Sequence, residues 1–121
     1  MKETSDAGSQ QGLEIHDQLR LLGGKFLNRT RDQAVQLREC IRDLPNGNAP
    51  LTQLEEVAHK IHGSGAMFGF ADISACGGEI ETLAEALAAA TTPIDAATVE
   101  RLNALVDRLE LCVQAAIDAA R

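Results

Sequence analysis

Thr52-Gln53-Leu54-Glu55-Glu56-Val57-Ala58-His59-Lys60-Ile61-His62-Gly63-Ser64-Gly65-Ala66-Met67-Phe68-Gly69 is the stretch that decides the fold. At about 100° per residue, Leu54, Val57, Ala58, Ile61, Gly65 and Phe68 fall within about 60° of one direction, so the segment reads as a helix with one dry stripe. His59 points about 140° away from Leu54, in line with Thr52, Gly63 and Ala66, on the wet face. Thr52 with Glu55 three residues on has the capping-box pattern and predicts the start of this helix; Gly69 predicts its end. Each interior glycine costs a helix about 1 kcal/mol relative to alanine, so Gly63 and Gly65 call for something that comes close to the backbone. Gly65 faces inward, where a neighbouring helix explains it. Gly63 lies one turn after His59 on the wet face, with no core beneath it, and so reads as clearance beside the imidazole.

The same periodicity recurs on both sides. Upstream, Ile15, Leu19 and Leu22 predict a short helix over about 13–22 that stops at Gly23-Gly24. Phe26, Leu27, Thr30, Ala34, Leu37, Ile41 and Leu44 form the stripe of a second helix over 25–44, and Pro45-Asn46-Gly47-Asn48 is a turn. Downstream, Ile73, Cys76, Gly77, Ile80, Leu83, Ala84 and Leu87 predict a helix over 72–90, closed by Thr91-Thr92-Pro93. Val99, Leu102, Val106, Leu109, Val113 and Ala116 predict another over 95–120. Long helices joined by short connections lie antiparallel to their neighbours, so the expected fold is an all-α, up-down-up-down four-helix bundle with a short additional N-terminal helix. Residues 1–11, nearly free of apolar side chains, read as a flexible leader, and 12–121 as a single domain.

Composition agrees with helices. Of 121 residues 45% are hydrophobic, yet Trp and Tyr are absent and only three Phe occur, so the core is built from aliphatic side chains rather than from strand-forming aromatics. A net charge of −7 argues against nucleic acid or an anionic membrane surface as a partner, since both need a clustered basic face. No apolar run approaches the roughly 18 residues of a membrane span, and the first residues lack the apolar heart of a signal peptide; a cytoplasmic chain is expected. Cys40, Cys76 and Cys112 are three widely separated thiols without paired spacing, which reads as small core hydrophobes rather than a disulfide framework.

An exposed imidazole, read here as unpaired and openly approached, suits carrying a group more than acid–base work inside a pocket. Neutral histidine is a good nucleophile near pH 7 and forms covalent intermediates. In-line phosphoryl transfer needs a clear path and a source of charge stabilisation, and this chain offers the nucleophile without a site for Mg²⁺.

The run from Ala58 to Gly69, followed by Ala75 and Ile80-Glu81, resembles the phosphorylation-site signature of histidine-containing phosphotransfer (HPt) domains: Ala-His-x-Leu-Lys-Gly-Ser, a segment of small residues, an apolar residue and Gly, then an apolar-Glu pair on the next helix. The resemblance implies a four-helix bundle whose His59 accepts phosphate from the receiver aspartate of a hybrid sensor histidine kinase and passes it to the receiver of a response regulator. It implies no cofactor of the chain's own, Mg²⁺ being brought by the receiver; separately, no segment offers the ATP-binding machinery of a kinase, so phosphorylation from ATP by this chain alone is not expected. Gly63, Ser64 and Ala66 become the surface the receiver approaches. At one position the chain departs from the pattern: where the family carries Lys, three residues after the histidine, stands His62, with a lysine at Lys60 instead. His62 lies about 60° from His59 around the helix and Lys60 about 100°, so His62 is the better placed to stand in, with Lys60 as further charge support. In that role His62 is expected to make the stability of the phosphohistidine depend on pH around neutrality.

Other readings are weaker. His59 and His62 could hold Zn²⁺ or haem, but only Glu55 and Glu56 share their wet face on this helix, short of a closed site. Gly63 to Gly69 is spaced one residue too long for a dinucleotide fingerprint and follows no strand. A non-catalytic helical adaptor, binding a partner through its surface, is the main alternative. A bundle that buries all its stripes needs no partner to fold, so a monomer is expected. His16 reads as a surface residue.

Overall fold

The structure, a computed structural model, describes residues 2–120, with side chains from Glu14 onward except that of His16. Among these residues it is all-helical: α1 (Lys2–Asp43), α2 (Asn48–Met67), α3 (Ala71–Ala89) and α4 (Ala96–Ala119), with a 3₁₀ turn over Leu44–Asn46. Each helix packs on two others, α1 and α3 each lying between α2 and α4, and among the described residues no Cα atoms of the diagonal pairs approach within 8 Å. The stripes meet along the axis, where Phe26, Leu37, Leu54, Ile61, Ile73, Ile80, Leu102, Val106 and Leu109 are almost wholly buried. Burying such side chains contributes about 1.5–3 kcal/mol each, more than helix propensity differences supply, so packing holds the elements in place.

Two boundaries differ from expectation. Gly23-Gly24 does not stop a helix; α1 runs straight through it. A Cβ on Gly23 would lie 3.7 Å from the ring of Phe70, an ordinary contact distance, so the ring packs against α1 at this point. Phe70 in turn stacks on Phe26, with centroids 5.6 Å apart, and this packing offsets the helix's loss at the glycines. The expected additional helix is therefore the front of α1, where Ile15, Leu19 and Leu22 are about half exposed. The helical backbone also takes in residues of the expected leader, whose side chains, like that of His16, lie outside the described residues.

The second difference is the start of α2. Thr52 is not its N-cap: its hydroxyl donates to the Asn48 carbonyl at 3.1 Å, one turn inside the helix. Gly47, at φ 129°, turns the chain, and Pro50 sits within the first turn, where backbone N–H groups have no intrahelical partner to lose.

At α4 the carboxylate of Asp95 accepts from the Thr98 backbone N–H at 2.8 Å, and hydrogen bonding from Thr98, its side chain first and its backbone second, holds the carboxyl below the usual carboxylate range. A depressed folded-state value means a contribution present above the ordinary range and lost as pH falls through the depressed one. Asp95→Ala is expected to melt below the parent at pH 7, the gap closing on acidification, in thermal melts followed by circular dichroism.

Candidate functional site

The site is built on the hairpin of α2 and α3. The connection is three residues, Phe68 to Phe70, and its geometry follows from Gly69 at φ 81°, a left-handed conformation that favours glycine. The Phe70 N–H reaches back to the Gly65 carbonyl at 2.8 Å and the Gly69 N–H to that of Ala66 at 3.2 Å, closing the helix end in a Schellman arrangement. Phe70 then opens α3, its carbonyl accepting from the Ser74 N–H at 2.9 Å. Phe68 and Phe70 both pack on Phe26 of α1 and tie the turn down.

From there the helices run back along each other at close range, spaced by glycine. A Cβ on Gly65 would stand 2.9 Å from the backbone nitrogen of Ser74, and one on Gly77 would stand 2.8 Å from that of His62. Continuing in this antiparallel register, His59 meets Glu81: Nδ1 lies 2.5 Å from Oε2, with the imidazole side chain 72% exposed and the carboxylate 17%. His59 is thus exposed, but the expectation that it is unpaired is corrected. Periodicity within one helix cannot show what the adjacent helix supplies.

This pair settles the chemistry of the ring. A carboxylate only accepts, so in the neutral ring Nδ1 carries the proton and Nε2 keeps its lone pair. The carboxylate is placed to stabilise positive charge that develops on the imidazole during a reaction, as in a hydrolase triad. An ion pair this exposed adds little to stability, so its consequence is orientation and tautomer.

His62, one turn on, is turned to α3 as well. Its Nδ1 lies 2.9 Å from the Ser74 carbonyl, and the Ser74 hydroxyl donates to the His62 carbonyl at 2.7 Å. The three atoms nearest to a Cβ built on Gly78 all belong to the His62 ring, beginning with Nδ1 at 2.8 Å. Gly63 has nothing within 4 Å of a built Cβ. Lys60 and Ala66 are exposed and Ser64 half-buried, while Met67 at the end of α2 is 75% exposed. Along the line from His59 through Gly63 and Ala66 the wet face therefore carries little side-chain relief until Met67, with the exposed His62 to one side of it.

The thiols stay apart from this site. Burial pushes Cys76 up to about 11, with Cys112 close by adding to it, and burial also raises Cys40. Such groups remain protonated and pack as small hydrophobes. Among the described residues no set of three or more His, Cys, Asp or Glu is placed to hold a metal ion, and no helix is long and apolar enough to cross a membrane.

The sequence pattern named His59 and the residues around it, whereas the partners on α3 were missed. Glu81 stood in the motif without a role, and Ser74 and Gly78 were not singled out. A signal was present, since Gly77-Gly78 within a helix demands explanation on the same grounds as Gly63 and Gly65.

A family model described as Hpt domain matches residues 22–112. No curated protein and no solved structure matches the chain.

Proposed function

The chain belongs to the Hpt domain family, which works by histidine phosphotransfer in phosphorelays, and on that premise we propose that His59 is the phosphoacceptor, carrying phosphate between the receiver aspartate of a hybrid sensor histidine kinase and that of a response regulator. The observation that carries the assignment is the contact of His59 Nδ1 with Glu81 at 2.5 Å. It leaves Nε2 as the nucleophile on an exposed ring. The Nε2 lone pair attacks the phosphorus of the aspartyl phosphate in line; the P–N bond forms as the P–O bond to aspartate breaks, and the aspartate leaves as a carboxylate. The receiver supplies Mg²⁺ for the charge on the transferring group, and the reverse sequence delivers the phosphoryl group to the next aspartate. Glu81 keeps the proton on Nδ1 and balances the positive ring of the phosphorylated state.

Gly63, Ser64 and Ala66 form the approach surface, a reading supported by the open space over Gly63 and the exposure of Ala66. Lys60 adds positive charge near the phosphoryl group, and His62 stands in for the lysine of the family pattern. The bundle is up-down-up-down, as the antiparallel register of α2 on α3 and the short connections support. The protein acts as a cytoplasmic monomer without a cofactor of its own; the absence of a membrane-crossing helix among the described residues is compatible with that location.

The test exploits the residue between the two histidines. Trypsin cuts after Lys60, leaving His59 on peptide 43–60 and His62 on peptide 61–101. Treatment with phosphoramidate, or with a receiver domain phosphorylated by acetyl phosphate in Mg²⁺, is expected to put an acid-labile, base-stable phosphate on peptide 43–60. Label on peptide 61–101 would move the acceptor to His62, and no label from either donor would favour the adaptor reading.

A further inference from the structure

The geometry points to a cradle on α3, formed by Ser74 and Gly78, that holds His62 as a proton-gated contact for the phosphoryl group on His59, so that acid prolongs the phosphorylated state. This rests on His59 being the acceptor. Gly78 is the key observation. A glycine in the middle of a helix loses about 1 kcal/mol against alanine, and here the three nearest neighbours of its missing Cβ are ring atoms of His62, at 2.8 Å from Nδ1, 3.0 Å from Cε1 and 3.5 Å from Cγ. The space exists for that ring.

The ring is fixed by more than space. The Ser74 carbonyl, 2.9 Å from Nδ1, can only accept, so Nδ1 donates and its proton is committed to α3. The Ser74 hydroxyl lies 3.3 Å from the same nitrogen while donating to the His62 carbonyl, bracing helix and ring together. One nitrogen, Nε2, remains. On neutral His62 it presents a lone pair, which cannot donate to phosphoryl oxygens; once protonated it presents an N–H with positive charge. A lysine in this place would donate at any physiological pH. Histidine is the side chain whose ordinary charge change falls between pH 5 and 8.

The other titratable and charged groups that face His62 come from α2, α3 and α4. On α2 there are Lys60 and His59, the latter bonded to Glu81 and phosphorylated in the state concerned. On α3, Glu79 and Glu81 line the groove beside His62, together with Arg101 of α4; Glu79 also lies 3.7 Å from Arg108. Carboxylates ordinarily titrate below this window and arginine far above it. Loss of a phosphoryl group through a loose transition state lowers the charge on its oxygens, so a cation on those oxygens holds the ground state more than the transition state. Protonated His62 therefore slows loss, and neutral His62 does not.

The experiment is the lifetime of the phosphorylated protein, prepared with phosphoramidate, at pH 6.0 to 8.5, for the parent, His62→Gln, His62→Lys and Gly78→Ala. His62→Gln is expected to lose phosphate about fivefold faster than the parent at pH 6.0, the size of one exposed ion pair, and at the parent rate at pH 8.5. Taking the ratio removes the acid lability common to all phosphohistidines. His62→Lys should exceed His62→Gln in lifetime by a factor that does not change with pH. Gly78→Ala, whose Cβ displaces the ring, should follow His62→Gln while melting no lower than the parent, an outcome that a purely structural role for Gly78 would not produce. Parallel pH profiles for the parent and His62→Gln overturn the proposal and leave the phosphotransfer reading intact. Failure of the parent to take label at any pH overturns both.

Discussion

His59→Gln is expected to abolish the base-stable label from every donor, and Glu81→Gln to keep the label but form it about 10- to 100-fold more slowly, as is usual when a group that orients a reactive histidine is removed. The two differ in kind. Without His59 there is no nucleophile on the exposed face. Without the carboxylate the imidazole remains, but an amide can accept at Nδ1 or donate to it, so the tautomer with a free Nε2 lone pair is no longer enforced. The exposed ring then also has freedom to rotate away from the line of attack. Stopped-flow or quench measurements of phosphotransfer from a receiver domain, at saturating donor, read this effect in the rate of the chemical step. Equal thermal melts for the parent and Glu81→Gln are part of the expectation, because a pair with a 72% exposed imidazole contributes little to stability. An unchanged rate in Glu81→Gln would remove the positioning role.

The second large effect separates two glycines that are neighbours in sequence. At Gly65 a Cβ would stand 2.9 Å from the nitrogen and 3.0 Å from the Cα of Ser74. These are backbone atoms, so α2 and α3 would have to move apart. Gly65→Ala is expected to lower stability by about 1–2 kcal/mol, because overpacking against backbone atoms costs about 2–3 kcal/mol, the upper part of the usual range, less a helix-propensity gain of about 1. In a domain of this size that is a fall in Tm of about 5–10 °C. The same displacement shifts Glu81 relative to His59 and should slow phosphorylation as well. At Gly63 nothing lies within 4 Å, so Gly63→Ala is expected to raise stability by up to about 1 kcal/mol. Gly63→Leu should fold comparably and accept phosphate from phosphoramidate, yet take it more slowly from a receiver domain, which needs the open surface. Denaturant titrations with paired transfer assays distinguish all three variants, and a Gly65→Ala protein as stable as Gly63→Ala would refute the close-packing account.

The helices were legible because their periodicity is local. Phe26, Leu27, Thr30, Ala34, Leu37, Ile41 and Leu44 were read as one stripe, and all seven are buried. Leu54, Val57, Ala58, Ile61 and Gly65 are buried in turn, with Phe68 packed partly against them. Boundaries were less legible, because they depend on partners elsewhere in the chain. Gly23-Gly24 has the composition of a stop, but the Phe70 ring comes against Gly23 and the helix continues. Thr52 and Glu55 match a capping box, but a helix able to start before Pro50 has no need of one.

The sequence by itself determined the four apolar stripes and the exposure of His59, since both follow from side-chain angle around a single helix. It also showed that glycine stood near the histidine at a cost that needed a reason. Only the tertiary structure decided what His59 and His62 touch. Glu81 lies 22 residues from His59 and Ser74 lies 12 from His62, and their contacts arise from the register of α3 on α2. That register is set by a three-residue turn with Gly69 in a left-handed conformation and by the close approach at Gly65 and Gly77. The proton on each Nδ1 is placed by an acceptor from the neighbouring helix, and no periodicity along one helix contains that information.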